Sequence, residues 1–297
     1  MKKKLIALLI MGALSLTTLV GCGGESTSEG SKSGDTSMKG AITVVSREDG
    51  SGTRGAFIEL LKIQEKDASG NKIDHTTKEA IIANKTDVML TQVSGDKNAI
   101  GYISLGSLND TVKAVKVDGT EATVENVKNG TYKVSRPFEI ATKGEAKGLK
   151  ADFIKFILSK EGQEVITTNK YISVDEKAAS FTSDNSEGKL VIAGSSSVTP
   201  VMEKLVEAYK AINTKATLEV QQSDSTTGIK AVTDGTADIG MSSRELTDTE
   251  KANLTPTQIA LDGIAIIVNK ENSISELTSE NIKSIYTDGI TDWKDVK

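Results

Sequence analysis

One cysteine and one histidine in 297 residues leave little side-chain chemistry available. Cys22 has no disulfide partner, and His75 alone cannot furnish a zinc or iron ligand set or the base of a catalytic triad. His75 sits in the polar run from Asn71 to Lys78, where a solvated loop or cap residue is expected. Positive charge is short too. Lys and Arg number 36 against 41 Asp and Glu, a net charge of −5, which argues against nucleic acid or an anionic membrane as a partner through bulk electrostatics. An anion would have to be caught by local donors, and the composition calls for no cofactor or metal.

Long apolar runs are confined to the beginning. Lys2, Lys3 and Lys4 precede an apolar stretch from Leu5 to Leu19, too short and too weakly flanked for a lasting membrane span. Small residues then lead to the cysteine in Leu19-Val20-Gly21-Cys22. This resembles a lipobox, which implies a signal peptide over residues 1–21, cleavage before Cys22 and a lipid on its sulfur. An ordinary signal peptide with an incidental cysteine is the alternative. Residues 22–39 are rich in Gly, Ser and Thr and read as a flexible tether, so the body over residues 40–297 is expected to be extracytoplasmic and membrane-anchored by its start.

What is present is a repeated strand–loop–helix pattern. Ala41 to Val45 leads through Ser46-Arg47-Glu48-Asp49-Gly50-Ser51-Gly52-Thr53-Arg54 into an apolar-periodic run. Lys189 to Ala193 leads through Gly194-Ser195-Ser196-Ser197-Val198-Thr199-Pro200, and Ala216 to Val220 leads through Ser223-Asp224-Ser225-Thr226-Thr227. Apolar spacings of three and four after short β-branched runs predict an α/β body. A Gly/Ser/Thr loop opening a helix presents unpaired N–H groups and hydroxyls at the positive end of the helix dipole, a ready anion site. One such loop is also what an ordinary helix cap looks like. Three of them, with arginines in the first, converge on one small oxyanion if the strand ends share a cleft. Gly50-Ser51-Gly52-Thr53-Arg54-Gly55 also spells the dinucleotide fingerprint, but Ser46 to Asp49 separate it from the strand and a polar loop stands where the ribose-binding acid belongs.

These loops, together with Gly235-Thr236-Ala237-Asp238-Ile239-Gly240-Met241-Ser242-Ser243-Arg244 and Leu261 to Asn269, resemble the periplasmic phosphate-binding proteins of ABC importers over nearly the whole mature chain. The resemblance implies a two-lobed type II periplasmic-binding-protein fold that closes on inorganic phosphate and presents it to ABC permease subunits. The order is rotated: the segment similar to the family's beginning starts near Lys189, and Asp292-Trp293-Lys294-Asp295-Val296, an internal segment in the family, ends this chain. A circular permutation is therefore expected, with a linker near 175–188 and the new ends in one lobe.

By resemblance, the phosphate ligands are Ser196, Ser197, Ser225, Arg47, Ser51, Gly52 and Thr53. Asp49 is expected to orient Arg47. Arg54 is either a further ligand or a solvated first-turn residue. Ser243 stands where the family often has an aspartate that accepts a phosphate proton, which puts strict rejection of sulfate in doubt. Leu261 to Asn269 and Ala99 to Ile103 are the segments expected near the lobe crossovers. No base–nucleophile set supports an exported hydrolase; Ser94-Gly95-Asp96-Lys97 matches an acyl-enzyme motif without its companions. A binding protein for another oxyanion, or a sensor or adhesion module of the same fold, stays open.

Overall fold

The computed structural model describes residues 38–297; the expected signal peptide, Cys22 and the expected tether up to residue 37 lie outside the described residues. The chain begins with β1 (Thr43–Arg47), α1 (Gly52–Leu60), β2 (Gln64–Lys66), β3 (Lys72–Asp74), β4 (Ile81–Ala83), α2 (Thr86–Gly95) and β5 (Ala99–Ser104). It continues through β6 (Val112–Ala114), β7 (Lys116–Val117) and α3 (Val124–Lys128) to β8 (Ser135–Thr142). Two helices, α4 (Leu149–Ile157) and α5 (Lys160–Thr168), then precede β9 (Ile172–Ser173). The second half holds β10 (Gly188–Ser195), α6 (Thr199–Ile212), β11 (Ala216–Ser223), α7 (Ser225–Asp234), β12 (Ile239–Ser242) and α8 (Asp248–Lys251). It closes with β13 (Thr255–Asn269), β14 (Glu276–Leu277) and α9 (Ser279–Tyr286).

The main sheet runs β11-β10-β12-β8-β13-β5-β1-β4. Its flanks are parallel (β10 with β11 and β12, β1 with β4 and β5), and its centre is antiparallel. That change of sense divides the molecule. One core gathers Val45, Phe57, Tyr102, Ile264 to Val268, Ile285 and Trp293; a second gathers Phe138, Phe153, Phe156, Leu190, Ile192, Val201, Leu205 and Tyr209. The strands β8 and β13 lie side by side and pass from one core to the other, with Ile264 and, just before β8, Val134 in the first and Phe138 and Ile259 in the second.

Leu261 to Asn269 therefore does mark a crossing, as expected. Ala99 to Ile103 does not: β5 stays in the first lobe, between β1 and β13. The second crossing is β8, whose Arg136, Pro137 and Glu139 hide a buried strand behind polar and turn-like residue types.

The two ends of the described chain meet in the first lobe. Ile42 N donates to Thr291 O at 2.9 Å, Trp293 N donates to Gly40 O at 3.0 Å, and Asp292 Oδ1 accepts from Gly40 N at 3.1 Å. The segment between β9 and β10 is tied to the second lobe instead. Phe181 packs edge-on against Phe156, and Asp152 Oδ2 accepts from Ser183 Oγ at 2.7 Å.

Candidate functional site

Four strands, parallel within each lobe, end at the cleft, and each hands over to a helix whose first residue is buried. β1 leads to α1, β10 to α6, β11 to α7 and β4 to α2. Strand ends of this kind gather ligands because helix N-termini add partial positive charge to exposed N–H groups. The first and fourth units belong to one lobe, the second and third to the other. The fourth unit escaped the sequence reading; its signal was Ile81-Ile82-Ala83 followed by the helix-opening Thr86-Asp87.

The lobes touch through the site itself. Thr53 Oγ1 and Ser197 Oγ are 2.8 Å apart, Arg47 Nη2 donates to Ser196 Oγ at 3.0 Å, and Thr226 N donates to the Gly50 carbonyl at 3.2 Å. Ser225 Oγ and Ser243 Oγ lie 3.4 Å from each other. Gly52 fits between them only because it lacks a Cβ, which would fall 2.4 Å from Ser225 Oγ and 2.7 Å from Ser243 Oγ. Ser51 caps α1, its Oγ accepting from Arg54 N at 3.3 Å. The structure thus brings together Ser196, Ser197, Ser225, Ser243, Arg47, Ser51, Gly52 and Thr53, and all are buried.

Arg47 is held from behind. Its Nε donates to Glu48 Oε2 at 2.8 Å and to the Ala83 carbonyl at 3.0 Å, and Nη2 donates to Glu48 Oε1 at 2.8 Å. Among the described residues, Nη1 has no partner. The Tyr102 hydroxyl accepts from Arg47 N at 3.0 Å and pairs with Ser46 Oγ at 2.9 Å. Burial pushes the Tyr102 phenol up to about 12, offset only in part by those two hydrogen bonds, so the hydroxyl stays neutral.

The expected pairing of Asp49 with Arg47 is not what forms. Asp49 points outward with its side chain 98% exposed and meets Arg54 Nη1 at 2.9 Å, while Glu48 turns inward to Arg47. Glu48 and Asp49 lie past the end of β1, where the chain turns, so strand alternation no longer sets which of them returns to Arg47. Arg54 also bonds Asp74 Oδ2 at 2.6 Å, so its guanidinium is committed to two carboxylates beside α1.

A second buried arginine was missed altogether. Arg136 on β8 donates through Nη1 to Thr53 Oγ1 and to the Ser243 carbonyl, both at 2.8 Å, so one nitrogen bridges the lobes. Its other face meets Asp262 on β13, with Nη2 to Oδ2 at 3.0 Å. Thr86, the first residue of α2, lies 3.4 Å from Ser196 Oγ.

The comparisons agree with this architecture. A family model described as a PBP superfamily domain matches residues 28–161 and 179–297. The phosphate-binding protein PstS 2 of Streptococcus agalactiae is 52% identical over 298 residues, 99% of each chain. The chain belongs to the PstS family of the PBP superfamily. The PstS 2 protein of Streptococcus pneumoniae is 46% identical, again over 99% of both chains. A crystal structure of a phosphate ABC transporter's phosphate-binding protein from S. pneumoniae superposes with a TM-score of 0.70 at 47% identity, covering 87% of this chain and 100% of that one. Matches that run end to end on both chains mean that these PstS relatives share the segment order, and the type II α/β fold stands as the sequence suggested.

Proposed function

We propose that this chain is an extracytoplasmic solute-binding protein that captures inorganic phosphate between its lobes and delivers it to the permease subunits of an ABC importer. The observation that carries the reading is the meeting of four helix N-termini and buried hydroxyls from both lobes around Arg47. Such a site binds a small tetrahedral anion through hydrogen bonds and dipoles, without chemistry on the ligand. The PstS 2 relatives are named phosphate-binding proteins, and the S. pneumoniae crystal structure is of a phosphate ABC transporter's phosphate-binding protein, which supports the reading.

The ligand set is Arg47, Ser51, Gly52 N–H, Thr53, Ser196, Ser197 N–H and Ser225, with Ser243 adjacent. Donors on both lobes favour the closed form, so phosphate shifts an open–closed equilibrium that a permease can read. The lipid anchor at Cys22 and the cleavage before it rest on the signal-like start of the sequence. Replacing Cys22 by serine and fractionating cells tests that part: the variant leaves the membrane fraction if the anchor is real.

Calorimetric titration with phosphate tests the function. Tight one-to-one binding that Arg47→Ala weakens at least about a hundredfold supports it, since a charge-assisted bond in a buried site carries that much. A folded chain that gives no heat with phosphate would sink it.

A further inference from the structure

The bond that Arg47 makes to Ser196 across the cleft is held at both ends by one unit, β4–α2. Behind the arginine, the carbonyl of Ala83, the register partner of Arg47 in the β1–β4 pair, accepts from Nε at 3.0 Å. Beside the serine, Thr86 opens α2 and places its Oγ1 3.4 Å from Ser196 Oγ. Met89 and Val93 of α2 pack into the first core, so Thr86 belongs to the lobe of Arg47. Ser196 lies between β10 and α6, in the other lobe.

Thr86 is buried, with 4% of its surface exposed, yet its hydroxyl does not cap its own helix. Lys85 holds the N-cap position of α2 without a side-chain cap bond, and among the described residues Thr86 Oγ1 reaches no partner besides Ser196. The chemistry of Ser196 then decides the direction. A serine oxygen carries one hydrogen and two lone pairs, and a guanidinium only donates, so Arg47 Nη2 fills one lone pair. A hydrogen from Thr86 fills the second and leaves the Ser196 hydrogen for an anion. The opposite direction would spend that hydrogen on Thr86.

We infer that Thr86 is a positioning residue of this site: from the lobe that carries Arg47 it donates to Ser196 and turns that serine's hydrogen toward the bound anion. The inference rests on the phosphate-binding reading and deepens it. The two hydroxyls sit on different lobes, so their contact is lost when the lobes part. Its effect therefore falls on release of the anion and not on capture.

Calorimetry and stopped-flow with inorganic phosphate on the full chain test this. Thr86→Val removes the hydroxyl at nearly constant shape, and Thr86→Ser keeps it. The valine variant should bind phosphate about fivefold to tenfold more weakly, the range of one neutral hydrogen bond, with the loss in the dissociation rate. The serine variant should stay within about twofold of the parent, and without phosphate both should melt within about 2 °C of it. In a Ser196→Ala background, Thr86→Val should cost less than about twofold more, because the residue it acts through is gone. Three results overturn the inference and leave the phosphate reading standing: valine binding like the parent, serine failing to restore affinity, or equal losses from Thr86→Val with and without Ser196. A valine variant whose phosphate-free melting falls along with its affinity overturns it too, since the hydroxyl would then serve the fold. A folded parent chain that binds no phosphate overturns both readings.

Discussion

Arg136 and Asp262 face each other on the two strands that join the lobes, 3.0 Å apart and buried to within 2% of completely. Burial pushes the Asp262 carboxyl up, and the adjacent guanidinium pulls it back down. The same guanidinium reaches Thr53 in one lobe and the Ser243 carbonyl in the other. An ion pair in this position joins the hinge to the ligand loops, and its two residues are direct partners in the β8–β13 register.

Removing the arginine alone strands a buried carboxylate. Arg136→Met is expected to cost about 3–5 kcal/mol in urea denaturation, whereas Arg136→Met with Asp262→Leu should recover most of it. Phosphate affinity should not return in the double variant, because Thr53 has lost the donor that fixes its hydroxyl direction. Equal affinity in the double variant and the parent would show that the pair serves stability only.

The neighbours Glu48 and Asp49 separate cleanly by the same logic. Glu48 clamps Arg47 through two oxygens, and Asp49 holds Arg54 at the surface. Glu48→Ala should weaken phosphate binding by about 10–100-fold, the usual effect of losing a residue that orients a ligand group. Asp49→Ala should leave it within about twofold, as an exposed pair contributes little. The reverse ranking in calorimetry would mean that the loop rearranges on binding.

The strand–helix units at residues 43–60, 188–212 and 216–234 were legible because β-branched runs, apolar spacing and Ser or Asp caps all pointed the same way. The unit from Ile81 to Gly95 was not, since a three-residue strand gives too short a period to recognise. The Arg136–Asp262 pair was invisible for another reason. A charged residue reads as surface until its partner is known, and here the partner lies 126 positions away. Choosing between Glu48 and Asp49 needed the course of the chain where it turns after β1, which composition does not carry.

Two glycines should fail in different ways when given a methyl group. At Gly52 the new Cβ would meet Ser225 Oγ and Ser243 Oγ of the opposite lobe, and opening the cleft relieves both contacts. Gly52→Ala should therefore keep its stability within about 0.5 kcal/mol yet bind phosphate at least about tenfold more weakly. At Gly228 the Cβ would fall 2.4 Å from Gly194 Cα and 2.5 Å from the Ala193 carbonyl, backbone of the same lobe that cannot swing away. Gly228→Ala should lose about 1–3 kcal/mol in denaturant melts. Matched losses of stability in the two variants would refute the distinction.

Reversing the order of the segments tests how far connectivity matters. Gly40 and Trp293 are joined by backbone hydrogen bonds, and the Trp293 indole is buried with Nε1 donating to Asn98 O at 2.9 Å. A short link from Lys297 to Gly40 therefore spans little distance, and a new opening after Glu187 falls in an exposed stretch just before β10. Contacts in both cores are untouched by the exchange, because they depend on where segments lie and not on the order in which the chain visits them. The rejoined chain should melt within about 5 °C of the parent, equivalent to one or two kcal/mol, and bind phosphate within about threefold. The segment from Asp175 to Gly188 is the weak point, since Phe181 and Ser183 hold it against α4 and α6 through contacts that a free end can fray. A folded product with phosphate affinity lost would mean that this segment, and not the cleft alone, sets the spacing of the lobes.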